Sequence, residues 1–312
     1  LIRPTPIPSP PVTVDRRSLG AIAVTLVLWS SAFAGIQAAL EAFTPGHLAL
    51  FRFLSASAFM GITAVIRRMR LPALRDLPLI LLLGLFGIAV YHTALNYAQL
   101  RVSAGAAGIL IATSPVFTAL LAAVFLQERL ATWGWLGIVI SLGGATLVAL
   151  GEGGGFNLEP YALLVLISAV SSAVYFVMMK PLLERYTGLE LSTYSIWAGT
   201  AMLLFFLPGF PHAVASAPSG AVLAVVYLGV LPGGVAYITW AVALSRTPAS
   251  VLASFQYLVP VLAVLIAWIW RRESPTIMAL AGGAVSLLGV ILVNRTGRRS
   301  GPVPPPGENN ER

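Results

Sequence analysis

The chain has 312 residues, of which 58% are hydrophobic and 10% charged, and its net charge is +8. Soluble domains average roughly 25% charged residues, so this composition excludes an ordinary water-soluble globule. Stretches such as Leu77 to Val90 are apolar on every side, which also excludes a transmembrane β-barrel, whose strands alternate apolar and polar. Cysteine is absent, and His47, His92 and His212 lack a metal-binding spacing. No metal or cofactor is therefore expected. The basic residues fall between apolar runs rather than in a patch, so they read as topological signals and no nucleic-acid partner is expected.

Residues 1–17 are rich in proline, carry no apolar run and read as a disordered tail. Arg16-Arg17 ahead of an apolar run containing Ala32-Phe33-Ala34 has the outline of a twin-arginine signal with a cleavage site. The run continues through Leu40, longer than the apolar region of a signal, and is read as a first membrane helix. Ten apolar segments are predicted: 18–40, 45–67, 77–99, 103–126, 131–150, 160–183, 190–209, 218–244, 248–270 and 275–294. At roughly 20 residues per crossing each is long enough to span the hydrocarbon. The expected organisation is a five-helix unit over 18–150, a periplasmic connection over 151–159, a second five-helix unit over 160–294 and a disordered tail over 295–312.

The two units repeat one another. Sliding the chain by 145 residues without a gap sets Gly84 on Gly229, Arg101 on Arg246, Pro115-Val116 on Pro260-Val261, Glu128 on Glu273, Gly137 on Gly282, Ser141-Leu142 on Ser286-Leu287 and Gly144 on Gly289. Sixteen of the 65 positions from 84 to 148 are identical. Apolar composition accounts for some of these, but not for the matched Pro, Glu and Arg. Because five is odd, the second copy enters the membrane from the opposite side. The predicted fold is all-α, a polytopic membrane protein of ten transmembrane helices in two inverted five-helix repeats, a pattern of secondary transporters with a site near the midplane between the halves. With the N-terminus inside, fifteen of the 19 Lys and Arg fall on the inner side, three on the outer side, and Arg52 within the second segment. Both termini are therefore expected in the cytoplasm.

Trp29-Ser30-Ser31-Ala32-Phe33 in the first segment, Arg52-Phe53 in the second, Pro-Val followed by Glu at Pro115 to Glu128 and Pro260 to Glu273, and Ala236-Tyr237-Ile238-Thr239-Trp240 in the eighth resemble the drug/metabolite transporter superfamily in its ten-helix EamA-type exporter branch. Tyr91-His92 is similar to a pair in bacterial aromatic-amino-acid exporters of the YddG kind. The resemblance covers about 18–294 and implies a multi-pass inner-membrane carrier that exports amino acids, aromatic or otherwise neutral, and related metabolites by alternating access, without an enzymatic activity. The first copy matches the second only partly over Tyr91 to Leu100, which leaves the substrate open. A membrane enzyme acting on lipid-linked intermediates is the alternative, and it would need mid-helix acids that are not found. No ATP-binding motif is present, so transport is facilitated or coupled to an ion gradient.

Polar side chains inside apolar helices face the bundle interior or a wet cavity. His92, Asn96 and Gln99 share one face at i, i+4, i+7, with Tyr91 beside them. This stripe either lines a cavity or hydrogen-bonds neighbouring helices. His92 either serves a substrate or proton, or is a satisfied neutral imidazole. The candidate substrate-binding set is Trp29, Tyr91, His92, Asn96, Tyr175, Tyr237, Trp240 and Tyr257, whose aromatic faces suit an apolar side chain or an ammonium. Trp133, Trp135, Trp268 and Trp270 are assigned to the interface belts. Arg52 is read as gating or structural, with direct substrate binding as the other reading. Pro115 and Pro260 each remove a helix hydrogen bond and are candidate hinges. The expected partners are a small-molecule substrate and the bilayer, with the chain working as a monomer.

Overall fold

A computed structural model describes residues 14–102, 107, 110–128, 130–151, 161–262 and 277–296, and shows helices and no strands among them. The main helices are α1 Arg16–Leu40, α2 Pro45–Ile66, α3 Leu74–Ala98, α4 Ser114–Phe125, α5 Thr132–Gly151, α6 Ala162–Leu182, α7 Gly188–Phe206, α8 Ser219–Arg246, α9 Ala249–Leu262 and α10 Ile277–Thr296. Six of them, α1, α2, α3, α6, α7 and α8, are long and apolar enough to cross a membrane. The other four contain shorter apolar runs, and the segments before α4 and between α9 and α10 lie partly outside the described residues. The expected tails, the 151–159 connection, Trp268, Trp270 and Glu273 fall almost wholly outside them as well. This is a polytopic all-α membrane fold.

Local chemistry sets the helix ends. Asp15 caps α1 by accepting from the Ser18 N–H at 2.9 Å, and its hydrogen bonds with Ser18 hold the carboxyl below its usual range. The cap therefore holds above ordinary carboxylate titration and is lost only in stronger acid. Thr44 caps α2 with Pro45 in its first turn, and Thr187 and Glu190 close a reciprocal capping box on α7. Gly209, at φ 78°, turns the chain from α7 into a short helix, Phe210–Ser216, in a conformation that glycine adopts without strain.

The 145-residue repeat is visible in the backbone. α3 carries a π-turn at Leu85–Val90 and α8 carries one at Leu231–Val235, the equivalent stretch. α4 begins after a turn at 112–113, just before Pro115; α9 tightens to a 3₁₀ turn at Phe255–Tyr257, just before Pro260. The breaks before Pro115 and Pro260 sit where a proline lacks the N–H to continue the ladder.

The halves interlock. α3 packs on α6 and α7, and its counterpart α8 packs on α1 and α2. Matched glycines permit this approach: a Cβ on Gly84 would lie 2.5 Å from Gly199 N on α7, and one on Gly229 would lie 2.3 Å from the Arg52 carbonyl on α2. α5 and α10 form a second seam between equivalent helices. A Cβ on Gly144 would lie 2.7 Å from the Gly282 carbonyl, and one on Gly289 would lie 2.6 Å from the Gly137 carbonyl. Those are the same contact seen from the two copies, because Gly137 pairs with Gly282 and Gly144 with Gly289 in the repeat. Ser141 Oγ donates to the carbonyl of its own counterpart Ser286 at 3.2 Å. A pseudo-two-fold axis thus passes between α5 and α10.

Candidate functional site

The same axis passes through a buried hydrogen bond in the middle of the bundle. His92 on α3 and Tyr237 on α8 are 145 positions apart, hence equivalent, and His92 Nε2 lies 2.9 Å from Tyr237 Oη. The Tyr237 hydroxyl donates onward to the Gly87 carbonyl at 3.0 Å, inside the π-turn of α3. Trp29 Nε1 on α1 donates to the Pro232 carbonyl at 3.3 Å, the counterpart of Gly87 in the π-turn of α8. The widened turns therefore present carbonyls that the other half uses.

A cavity of about 830 Å³, counting its open mouth, lies beside this bond. Its wall includes Trp29, Tyr91, His92, Tyr175 and Tyr237 from the candidate set, with Arg52, Pro260, Phe176 and Gln256. Both repeats contribute. Along α1 the lining runs from Trp29 to Ile36, in the half of that helix away from Arg16. On the other side the rings close up: Trp29 lies 5.0 Å from Trp240 and 6.3 Å from Phe176, and Phe176 lies 5.1 Å from Trp240, centroid to centroid. Such offset and tilted ring pairs form a tight apolar floor.

Asn96, Trp240 and Tyr257 are buried outside the cavity wall. Asn96 Nδ2 donates to the Pro45 carbonyl at 3.1 Å, tying α3 to the start of α2. The third-helix stripe thus divides, with His92 on the wall and Asn96 between helices. Trp240 Nε1 and Tyr257 Oη are buried without a partner. Pro115 lies in the first turn of α4, away from the cavity, whereas Pro260 reaches its wall. Arg52 is 3% exposed and faces the cavity from α2.

Two charged residues outside the candidate set hold the α8–α9 connection at the Arg246 end of the bundle. Glu128, 4% exposed, accepts from Ala249 N at 2.9 Å, Ser250 N at 3.1 Å and Ser250 Oγ at 2.6 Å, which caps α9. Lys180 Nζ donates to the Leu244 carbonyl and, at 2.6 Å, to the Thr247 carbonyl, at the end of α8. An acid at a helix N-terminus and a cation at a C-terminus also match the helix dipoles. The signal for Glu128 was its coincidence with Glu273 in the repeat; nothing in the sequence marked what it holds. Glu128→Ala is expected to strip acceptors from two buried N–H groups and to destabilise the detergent-solubilised protein by about 1–3 kcal/mol. Glu128→Gln, which keeps one acceptor, should lie between that variant and wild type in thermal unfolding.

The model of the EamA-like transporter family matches residues 17–150 and again 160–295. The probable terminal-alkyne amino-acid exporter of Streptantibioticus cattleyicolor is 41% identical over 286 residues, covering 91% of this chain and 96% of that protein. The uncharacterized transporter YdfC of Bacillus subtilis is 42% identical over 263 residues, covering 84% of this chain and 86% of that one. A solved crystal structure shares the fold at a TM-score of 0.71 and 23% identity, covering 88% of this chain and 95% of its own.

Proposed function

The chain belongs to the EamA-like transporter family, and from that premise we propose that it exports amino acids with aromatic or other neutral side chains, and related metabolites, across the bacterial inner membrane. It is a membrane transporter and not an enzyme. The observation that carries the substrate reading is the aromatic-walled cavity to which both repeats contribute, beside the axis that relates them. Inverted repeats move a substrate by rocking about such a site. Trp29, Tyr91, Tyr175 and Tyr237 offer ring faces to an apolar side chain or an ammonium. The similarity to the probable terminal-alkyne amino-acid exporter of Streptantibioticus cattleyicolor supports amino acids as the substrate class.

Alternating access accounts for the unpaired Trp240 Nε1 as well. Trp240 lies one turn beyond Tyr237 toward Arg246, and opening the bundle at that end would bring its Nε1–H into contact with water or substrate. The excess of Lys and Arg at that end supports a cytoplasmic position for it and for both termini. The Glu128 and Lys180 contacts then close the cytoplasmic side while the cavity faces the periplasm. The chain acts as a monomer, since its two repeats already supply both walls.

The test is a panel of radiolabelled L-amino acids in proteoliposomes. Saturable flux of one neutral amino acid, competed by its unlabelled form, is expected; flux that rises linearly with concentration, or none for the panel, overturns the reading. Pro115 and Pro260 are proposed to act as hinges, since each follows a break in its helix. Pro115→Ala with Pro260→Ala is expected to slow that flux several-fold while equilibrium binding holds. An unchanged rate removes the hinges.

A further inference from the structure

Three buried atoms on the cavity wall lack a partner in the protein, Arg52 Nε, His92 Nδ1 and Gln256 Oε1, and the first two, both on side chains 3% exposed, are of opposite kinds. The first is Nε of Arg52. Cationic side chains inside membrane bundles commonly donate to backbone carbonyls, as the half-buried Lys180 does here. Arg52 does not. Among the described residues the ion pairs are Arg185–Asp76 and Arg246–Asp15, so no carboxylate balances Arg52 either. Its guanidinium stands 5.6 Å from the Phe53 ring centroid, and its charge is within electrostatic reach of Tyr91, His92 and Tyr237.

The second atom is Nδ1 of His92. Tyr237 has one hydroxyl proton and gives it to the Gly87 carbonyl. The contact between Tyr237 Oη and His92 Nε2 is then made by the Nε2–H of the imidazole. In the neutral ring this leaves Nδ1 a bare acceptor, able to take a proton donor but unable to serve an anion.

A buried cation without a counter-charge and a buried acceptor without a donor are each unfavourable, and both are relieved by one occupant that carries an anion and an N–H donor close together. We propose that Arg52 binds the carboxylate of the transported solute and that His92 Nδ1 accepts from its ammonium, so that the cavity selects zwitterionic α-amino acids over the matching amines and esters. This rests on the amino-acid reading above and adds a residue and a chemical basis for it.

The experiment is calorimetric binding to the full chain in nanodiscs, using L-phenylalanine, its methyl ester and phenethylamine, repeated with the leucine series. Wild type should bind the amino acid about ten-fold or more tighter than the ester or the amine, the size expected for one lost charged hydrogen bond. Arg52→Met should bind amino acid and ester alike, and Arg52→Lys should recover part of the preference. His92→Leu should weaken acid and ester by similar factors, since both keep the ammonium. Equal wild-type affinity for acid and ester overturns the role of Arg52 while leaving amino-acid export standing, and this comparison requires no variant. Retained preference in a folded Arg52→Met also overturns it. If no compound of either series binds the folded wild type, the amino-acid reading itself falls and this proposal with it.

Discussion

Gly144→Ala is expected to destabilise the protein in detergent by about 1–3 kcal/mol, whereas Gly143→Ala, one residue away, is expected to leave it unchanged or slightly more stable. The two glycines share a helix and differ only in direction. A Cβ on Gly144 would stand 2.3 Å from Ser286 N and 2.7 Å from both the Gly282 carbonyl and Ser286 Cα, all of them backbone atoms of α10 that cannot rotate aside. Gly143 meets nothing within 4 Å. Alanine in a helix is intrinsically better than glycine by roughly 0.5–1 kcal/mol, so the open position should show that gain and the closed one should lose far more than it gains. Gly289→Ala should behave as Gly144→Ala does, because Gly289 meets Ser141 N at 2.5 Å and the Gly137 carbonyl at 2.6 Å from the other side of the same seam. Thermal unfolding of the three variants decides it. Similar melting of the Gly143 and Gly144 variants would mean that helix α5 does not approach α10 this closely.

The repeat was open to inference because matched Pro, Glu and Arg at one offset stand out against an apolar background. Pro115 and Pro260 also foretold where helix geometry breaks, since a missing N–H acts locally, whatever surrounds it. The π-turns were not foreseeable: Leu85–Val90 and Leu231–Val235 share few residues, and a proline occurs in only one of them. They exist because the other half reaches the carbonyls they release, which is a property of packing. For the same reason the periodicity of His92, Asn96 and Gln99 could not tell wall from interface. Spacing places them on one face, but the Pro45 carbonyl that takes Asn96 belongs to another helix. Arg52 shows the limit most sharply, because its place in the second apolar segment left a gating or structural role and direct substrate binding both open. In the fold it is buried against a cavity, and which side chains stand beside it there, with no acid paired to it among the described residues, is set by tertiary packing.

The bond between His92 and Tyr237 should reveal itself as coupling. Tyr237→Phe removes the oxygen that accepts from His92 Nε2–H and the proton that serves the Gly87 carbonyl, leaving two buried groups unpaired. At roughly 1–3 kcal/mol for each, the single variant should be among the most damaging conservative changes in the chain. His92→Leu leaves the Tyr237 hydroxyl still bonded to Gly87 and should cost less. In the double variant the orphaned Nε2–H is gone, so the loss should fall short of the sum of the singles by about 0.5–3 kcal/mol. The bond joins equivalent positions across the pseudo-two-fold axis, where rocking of the halves would displace both partners least. For that reason the coupling should persist whether the protein is held with its cavity facing one way or the other. Thermal unfolding of the four proteins, with and without the amino acid that gives saturable flux, measures it. Additive losses would show that the two side chains stand side by side without bonding, and the axis through the site would then lose its polar pivot.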